Sequence, residues 1–465
     1  MDAITYGQLV MMLGNTAMQV FNLVIKENPG NHGRLSATLA VEEGEKDYLL
    51  YEESTSVALY ALQDKILKPL FMGIVNQMSI KTIGKQCMVC LEAVTGSCQM
   101  DLYVQNRSFQ DTALTSHQLV GKVMEAYKGQ SNILFSIPDE ELGHISVQYQ
   151  ETDWTFLNRI LSKYDTSAYI DSTKPGICIR AGLMDTEEDA DWDYLPYKVF
   201  RNTAPTNTER RLKGQLCYEV EAYDIFPLGE KVHFHGQDLF IGKIERSINQ
   251  GLLINRYSLY FQEGLAVFPY DNPYLSGVSI NGEVTNVKRN KLQVKLETDV
   301  LSKCKEQYFF PFSTVAASPD GSGWYCMPKG GDRVRVFFPT DDEREGYAIA
   351  NILGESAPVS GSSMENPDTK DITAPDGKSV KFVPGGIQLA VGEEKGTITL
   401  TNDGKAEIRT DEDIVIGAAE TLYFTTEGTM EVIAGTQIQV VSDAGGSICM
   451  NNDTVEIRAS VIQNN

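Results

Sequence analysis

Residues 396–440 read GTITLTNDGKAEIRTDEDIVIGAAETLYFTTEGTMEVIAGTQIQV, and they read in steps of eight. Ile398 and Leu400 are followed by Ala406 and Ile408, Ile414 and Ile416, Leu422 and Phe424, Met430 and Val432, and Ile438 and Val440. The residue inside each pair points the other way on a strand. It is usually polar (Thr399, Glu407, Glu431, Gln439), with Val415 and Tyr423 as exceptions. Each octad is therefore a predicted strand of about five residues with one apolar face. Turn residues fill the gaps at Gly396, Asn402-Asp403-Gly404, Gly417, Gly428 and Gly435. After Val440 the beat slips to Ile448 and Met450, then resumes at Val455 and Ile457. This is an internal repeat, and it decides the architecture.

An apolar strip two residues wide cannot bury itself. Three octads could form one coil of a single-chain β-helix, or three identical chains could wind together, each forming one wall of a prism. The repeat is short and no amphipathic capping helix flanks it, whereas solenoid arrays need caps. We therefore expect a triple-stranded trimeric β-helix with Ile398, Leu400, Ile408, Ile414, Ile416, Leu422, Phe424, Met430, Val432, Ile438, Val440, Ile448, Met450, Val455 and Ile457 at its core.

The chain has 465 residues, enough for several domains, and a formal net charge of −23. Such a balance disfavours binding to a phosphate backbone. No run of eighteen apolar residues is present, and Met1-Asp2-Ala3 does not open a signal peptide, so synthesis in the cytoplasm is expected. Eight cysteines (87, 90, 98, 178, 217, 304, 326 and 449) are scattered, as reduced thiols are. Cys87 and Cys90 have a CxxC spacing but sit in a strand-like run with no second such pair and no nearby histidine, so both are read as structural.

Residues 1–110 read mostly as strands, with Val57 to Ile66 as a candidate helix. Leu70-Phe71-Met72-Gly73 has an echo in Leu239-Phe240-Ile241-Gly242. Each is followed by Ser-Ile (Ser79-Ile80, Ser247-Ile248), a polar turn and another alternating strand. This predicts a duplicated β-module. Between the copies lie two amphipathic helices, one capped at Thr115 or Ser116 with Val120, Val123, Met124 and Tyr127 on one face. The other is capped at Thr152 or Asp153 and carries Phe156, Leu157, Ile160, Leu161 and Tyr164. Asp189, Asp191 and Asp193 have a calcium-like stagger, but Tyr194 stands where an EF-hand needs glycine, so a solvated loop is expected. His233 and His235 alternate about Phe234 and would face one side of a strand, two ligands without a third.

Several stretches together carry a family resemblance: Leu70 to Val75, Tyr103 to Asp111, Glu151 to Ser162, and Val220-Glu221-Ala222-Tyr223 through Gly229, Val232 and the Leu239–Gly242 strand. They resemble the hub domain shared by phage late-control D proteins and VgrG spikes. Residues 271–355 carry five strands in about eighty residues with Gly and Pro punctuation, an OB-type barrel. Phe309, Phe310, Phe312, Trp324 and Tyr325 could stack bases, but no clear basic groove accompanies them. Gly323 to Leu353 resembles the VgrG OB domain, where the barrel is a collar and not a nucleic-acid reader.

The expected fold is mainly β, a β-rich α+β chain. Its parts are hub module one (1–110), a helical and loop insertion (111–200), hub module two (201–270), the OB barrel (271–355), a linker (356–379) and a β-helix needle (380–465). The linker leaves no room for a lysozyme domain, and no fused C-terminal effector is expected. The resemblance implies a homotrimeric spike of a contractile injection machine, partnered by a tail tube protein, baseplate proteins and a PAAR-like tip protein. It would be assembled into the injection particle and driven into a target membrane on firing. No enzymatic activity, cofactor, metal or nucleic-acid partner is expected. The competing reading is a β-helical glycan-degrading or adhesive tail protein. That class wants clustered carboxylates on one sheet face, whereas Glu407, Asp411, Glu412, Asp413, Glu420, Glu427 and Glu431 sit at turns or singly.

Overall fold

The computed structural model describes the chain apart from residues 1–2, 15, 42–55, 64, 84–85, 185–186, 189–191, 202–211, 301–305, 316–325, 350–365, 367, 375–376, 393, 452 and 464–465. The chain divides into two compact units, Met1–Gly354 and Glu355–Asn465.

The first unit opens with six strands: β1 (Leu9–Leu13), β2 (Thr16–Glu27), β3 (Arg34–Val41), β4 (Ser56–Gln63), β5 (Ile66–Ile83) and β6 (Gln86–Val94). Their hydrogen-bonded order is β1-β4-β5-β6-β3-β2, and β2 pairs back onto β1, which closes a barrel. Period-two alternation fills it. Leu9, Met11 and Leu13, then Leu35 and Leu39, then Val89 and Leu91 all point inward and are buried. The segment from Val57, expected as a helix, is strand β4: Val57, Leu59 and Ala61 are buried at a spacing of two, and a helix would scatter them around its axis.

The insertion holds β7 (Val104–Phe109), α1 (Ser116–Met124), β8 (Ser131–Phe135), β9 (Ser146–Thr152), α2 (Asp153–Ser162), β10 (Ala168–Ile170) and β11 (Ile177–Ala181). Thr115 caps α1 in a reciprocal box with Gln118, and the Thr152 hydroxyl accepts from the Thr155 amide at the start of α2. Leu119, Val120 and Val123 meet Phe156, Leu157 and Ile160 in a core of their own.

A second set of strands follows: β12 (Glu187–Glu188), β13 (Tyr197–Arg201), β14 (Leu216–Ala222), β15 (Lys231–Phe234), β16 (Gln237–Asn249) and β17 (Leu252–Tyr260). Since β12 and β13 belong to it, the module begins ahead of the expected boundary at 201, and β7, paired with β9, belongs to the insertion although it precedes 111. The order is β12-β15-β16-β17-β14-β13, which repeats strand for strand the order of the first barrel. Five strands also keep their directions. The exception is the two-residue β12, which runs parallel to β15. No β12–β13 ladder closes this set among the described residues.

The OB barrel contains β18 (Val278–Lys288), β19 (Lys291–Leu296), β20 (Phe310–Pro311), β21 (Arg333–Phe338) and β22 (Tyr347–Ile349), in the order β20-β19-β18-β21-β22. A parallel bridge between Phe312 and Ala348 closes it, with the Ser313 amide donating to the Ala348 carbonyl at 2.8 Å. Of the candidate stacking aromatics, Phe310 is buried in the barrel core, Phe312 packs against it, and Phe309 lies under the Lys288 ammonium at 5.9 Å. Trp324 and Tyr325 lie outside the described residues. The barrel is fastened to the insertion by a buried ion cluster. Glu343 meets Arg159 at 3.0 Å and Lys163 at 2.9 Å, and Arg159 also holds Glu151 at 2.9 Å. Burial alone would raise the Glu343 carboxyl, but Arg159 and then Lys163 outweigh it and hold it at about 2. Burial wins at Glu151, whose carboxyl is pushed up in spite of Arg159.

The second unit contains two antiparallel meanders. One is β23 (Lys370–Thr373), β24 (Ser379–Val383), β25 (Gly386–Val391), β26 (Gly396–Thr401) and β27 (Ala406–Thr410); the other is β28 (Gln437–Val441), β29 (Ser447–Asn451) and β30 (Thr454–Arg458). Strand β23 and the start of β24 fall inside the expected linker at 356–379, much of which lies outside the described residues. The octads at Ile414/Ile416, Leu422/Phe424 and Met430/Val432 form no strand, since residues 412–436 enter no ladder among the described residues. A strand needs a hydrogen-bonded neighbour, and the described residues supply none here.

Candidate functional site

The octad residues that lie on strands stand opposite one another. Leu389 pairs with Ile398 and Ile398 with Ile408, while Ile387 pairs with Leu400 and Leu400 with Ala406. Beyond the unpaired stretch, Val440, Ile448 and Ile457 form one row, and Ile438, Met450 and Val455 another. Side chains directly opposite across antiparallel strands share a face, so each meander presents a continuous apolar face. The first face extends further back than the octads indicated, through Val380 opposite Leu389 and Phe382 opposite Ile387. The signal was present, because Val380/Phe382 and Ile387/Leu389 alternate like the rest.

No described residue covers this face. No described residue from 366 to 463 is buried, and Ile398, Ile408, Ile416, Phe424 and Val432 are exposed. Single exposed apolar side chains are ordinary, but a contiguous row of this length marks a contact surface. Val415 is 90% exposed and its neighbour Ile416 56%, so the octad residue is the less exposed of the two. Glu407, one of the outward acids, is engaged by Lys405 and Arg409.

In the hub, Leu70, Phe71 and Gly73 lie on β5, and Leu239, Phe240 and Gly242 on β16, the strands at matching places in the two orders. A side chain on Gly73 would overlap the Val94 carbonyl, and one on Gly242 would overlap Tyr260 and Leu265. Leu70 and Phe71 are both buried because a bulge between β4 and β5 falls there, whereas Phe240 is only partly covered. The two modules are joined by a ladder in which Ile244 to Ser247 of β16 pair with Glu27 to Val24 of β2. Buried beside that seam, Arg246 meets Glu27 at 2.8 Å and donates to the Phe226 carbonyl. Burial works against the guanidinium charge, but Glu27 and then Tyr257 raise its pKa.

Other candidates come apart. Cys87 is buried and Cys90 exposed, so the CxxC pair faces opposite sides of β6. His233 bonds Asp238 at 2.9 Å, while His235 sits in the following turn at φ 48° with its ring against Tyr197 and Phe234. The strand therefore ends before it can align both imidazoles. Asp189 and Asp191 lie outside the described residues, and Asp193 accepts from the His235 amide. The acidic stretch carries a buried anchor that the charge pattern hid. Trp192 donates to Asp224 at 2.9 Å and stacks on Tyr257. Among the described residues, no group of three metal-ligating side chains converges, and no helix is long and apolar enough to cross a membrane.

Residues 54–198 match the family model described as phage tail baseplate hub (GPD). The fold is similar to that of the E. coli c3393 protein, a component of the type VI secretion system with structural similarity to the T4 bacteriophage tail proteins gp27 and gp5. The two are 13% identical, with a TM-score of 0.54, over 74% of this chain and 99% of that one. A Francisella PdpA–VgrG complex, in its half-lidded form, matches at a TM-score of 0.55 and 8% identity, over 86% of this chain and 87% of the other. Among curated proteins none matches this sequence. Residues 54–198 therefore match the phage tail baseplate hub family, and the fold around them is similar to those of the type VI secretion component and the PdpA–VgrG complex.

Proposed function

We propose that this tail spike and hub protein works as a homotrimer whose second unit is a needle. The observation that carries this reading is the stretch from 412 to 436: three apolar octads in one chain, no ladder partner among the described residues, and a paired meander on either side. Three copies winding about an axis would give each of those octads a neighbouring strand and a dry face at once. Burying each of these side chains is worth roughly 1.5–3 kcal/mol, and symmetry repeats the gain in all three copies.

The role is mechanical and non-catalytic. The hub modules would seat on a tail tube protein and baseplate proteins, the OB barrels would form a neck, and the prism would carry force into a target membrane. Val461 and Ile462 are exposed and would receive a PAAR-like tip protein. The chain would be made in the cytoplasm and delivered with the particle.

The test is Ile416→Asp. It places three carboxylates in a dry core, where an uncompensated charge costs several kcal/mol or is neutralised. Light scattering should show loss of the trimer while the melting of the first unit is retained. An Ile416→Asp protein that remains a heat-resistant trimer overturns the axis assignment.

A further inference from the structure

The stretch of the second unit that enters no ladder is apolar on its other side as well. We propose that Val415, Tyr423 and Ile433 form an outward apolar belt on the needle, and that this belt docks a basic protein partner with an apolar centre. The proposal rests on the trimeric reading above, which sends the octad pairs to the axis and leaves the residues between them outside.

The outward side is readable from the ladders. In the first meander Lys381, Gln388, Thr399 and Glu407 stand opposite one another in turn, and in the second Gln439, Cys449 and Glu456 do so. These residues alternate with the octad pairs, so each row lies on the side away from the apolar face. Apart from Cys449 the rows are polar throughout, as a solvated outer wall should be. Thr399 faces Glu407, eight residues on, and the same step carries the row to Val415, Tyr423 and Glu431. The polar rule fails at two successive places, Val415 and Tyr423, and again at Ile433, which has the same parity as Glu431. Val415 is 90% exposed, Tyr423 81% and Ile433 88%, against 53% for Ile414 and 61% for Phe424 and Val432. Burying the octad pairs on an axis leaves these three side chains in water, and three copies repeat them around the needle. An apolar cluster that survives assembly marks a contact surface.

The charge around the belt selects the partner. Between Arg409 and Arg458 the sequence has no lysine, arginine or histidine, while Asp411, Glu412, Asp413, Glu420 and Glu427 flank the belt residues. All five acids are exposed. Elsewhere in the second unit carboxylates are met within the chain, Glu407 by Lys405 and Arg409 and Glu456 by Arg458. A surface that is apolar at its centre and acidic at its rim complements a partner that is apolar at its centre and basic at its rim. Tyr423 suits such a contact, because it buries a large ring and keeps a hydroxyl for a hydrogen bond. A bilayer fits less well. Segments that rest on an anionic membrane do so through lysines and arginines beside their apolar residues, and here acids occupy those places.

The experiment uses the full chain and a double variant, Val415→Thr with Tyr423→Thr, which keeps every octad pair and should remain a trimer by light scattering. The probe is a labelled amphipathic peptide of leucine and lysine, with a glycine–lysine peptide of equal charge as its control. Fluorescence anisotropy should show the leucine–lysine peptide binding the wild type at least about tenfold more tightly than the variant, the loss expected when an interface aromatic is removed. The glycine–lysine peptide should bind both alike. Equal binding of the leucine–lysine peptide to wild-type and variant trimers overturns the belt and leaves the spike reading standing. A variant that falls to a monomer beside a trimeric wild type puts these side chains on the axis and overturns the belt too. Flotation of the wild type, but not the variant, with vesicles of equal parts phosphatidylglycerol and phosphatidylethanolamine overturns the protein partner in favour of a membrane. A monomeric wild type overturns the belt and the trimer together.

Discussion

The barrels of the first unit and the meanders of the second follow the same period-two alternation, yet one hides its apolar face and the other displays it. In the hub, Leu59, Val89 and Leu259 are fully buried because each sheet curls onto itself or packs on another element. In the second unit, side chains of the same type on strands of similar length remain about half exposed. The difference lies in where the covering surface comes from. Alternation specifies that a face must be covered and leaves open which chain covers it.

The comparison can be broken in order of expected effect. Arg159→Met removes the cation shared by two buried carboxylates, and stranding such charges costs about 3–5 kcal/mol. Calorimetry should show a large fall in the melting temperature of the first unit, with oligomeric mass unchanged wherever the trimer survives. Phe424→Asp should do the reverse, abolishing the trimer at micromolar concentration while leaving the hub transition in place. If both variants shift both properties together, the two units are not separable in the way proposed.

A finer comparison sets the two echo glycines against each other. Gly73→Ala meets a backbone carbonyl that cannot move aside, and overpacking of this kind typically costs about 1–3 kcal/mol. Gly242→Ala meets side-chain atoms of Tyr260 and Leu265, which can shift, so its loss in a urea titration should be smaller. Equal losses would mean that the local backbone, rather than the neighbour, sets the cost.

Acid should act on the first unit. The Glu343 carboxyl is depressed from the usual 4.5 to about 2 on folding, so the unfolded chain takes up its proton first as pH falls. The stability it contributes is complete above about 4.5 and is lost as pH drops towards 2. Glu151, whose carboxyl is raised, has the opposite sign, because the folded chain takes up that proton more readily. Melting temperature between pH 5 and 2.5 should therefore fall in the wild type, and the slope should flatten in Glu343→Gln. The smallest effect belongs to Val415→Thr, outward and 90% exposed, where a change within about 0.5 kcal/mol is expected. A large loss there would put Val415, and not Ile416, on the axis.

Much of this molecule was legible from residue order alone. Alternation located the octads, and the Leu-Phe-x-Gly echo located a duplication whose strand order the fold repeats in full. Capping chemistry located both helices, since Thr115 and Thr152 are chosen for the free amides they satisfy. These signals are local, carried by residues within a few positions of each other. What the residue order could not decide depends on contacts between distant parts. The Val57 segment has helical and strand readings of similar merit until β1 and β5 stand on either side of it. Glu343 and Arg159 lie far apart in the chain and nothing in their flanks announces the pair. Trp192 is an anchor only because Asp224 and Tyr257 arrive from later parts of the same module. The apolar octads carry this limit furthest: their period fixes a face on every strand, while the surface that covers it is specified neither by that period nor by any described residue of this chain.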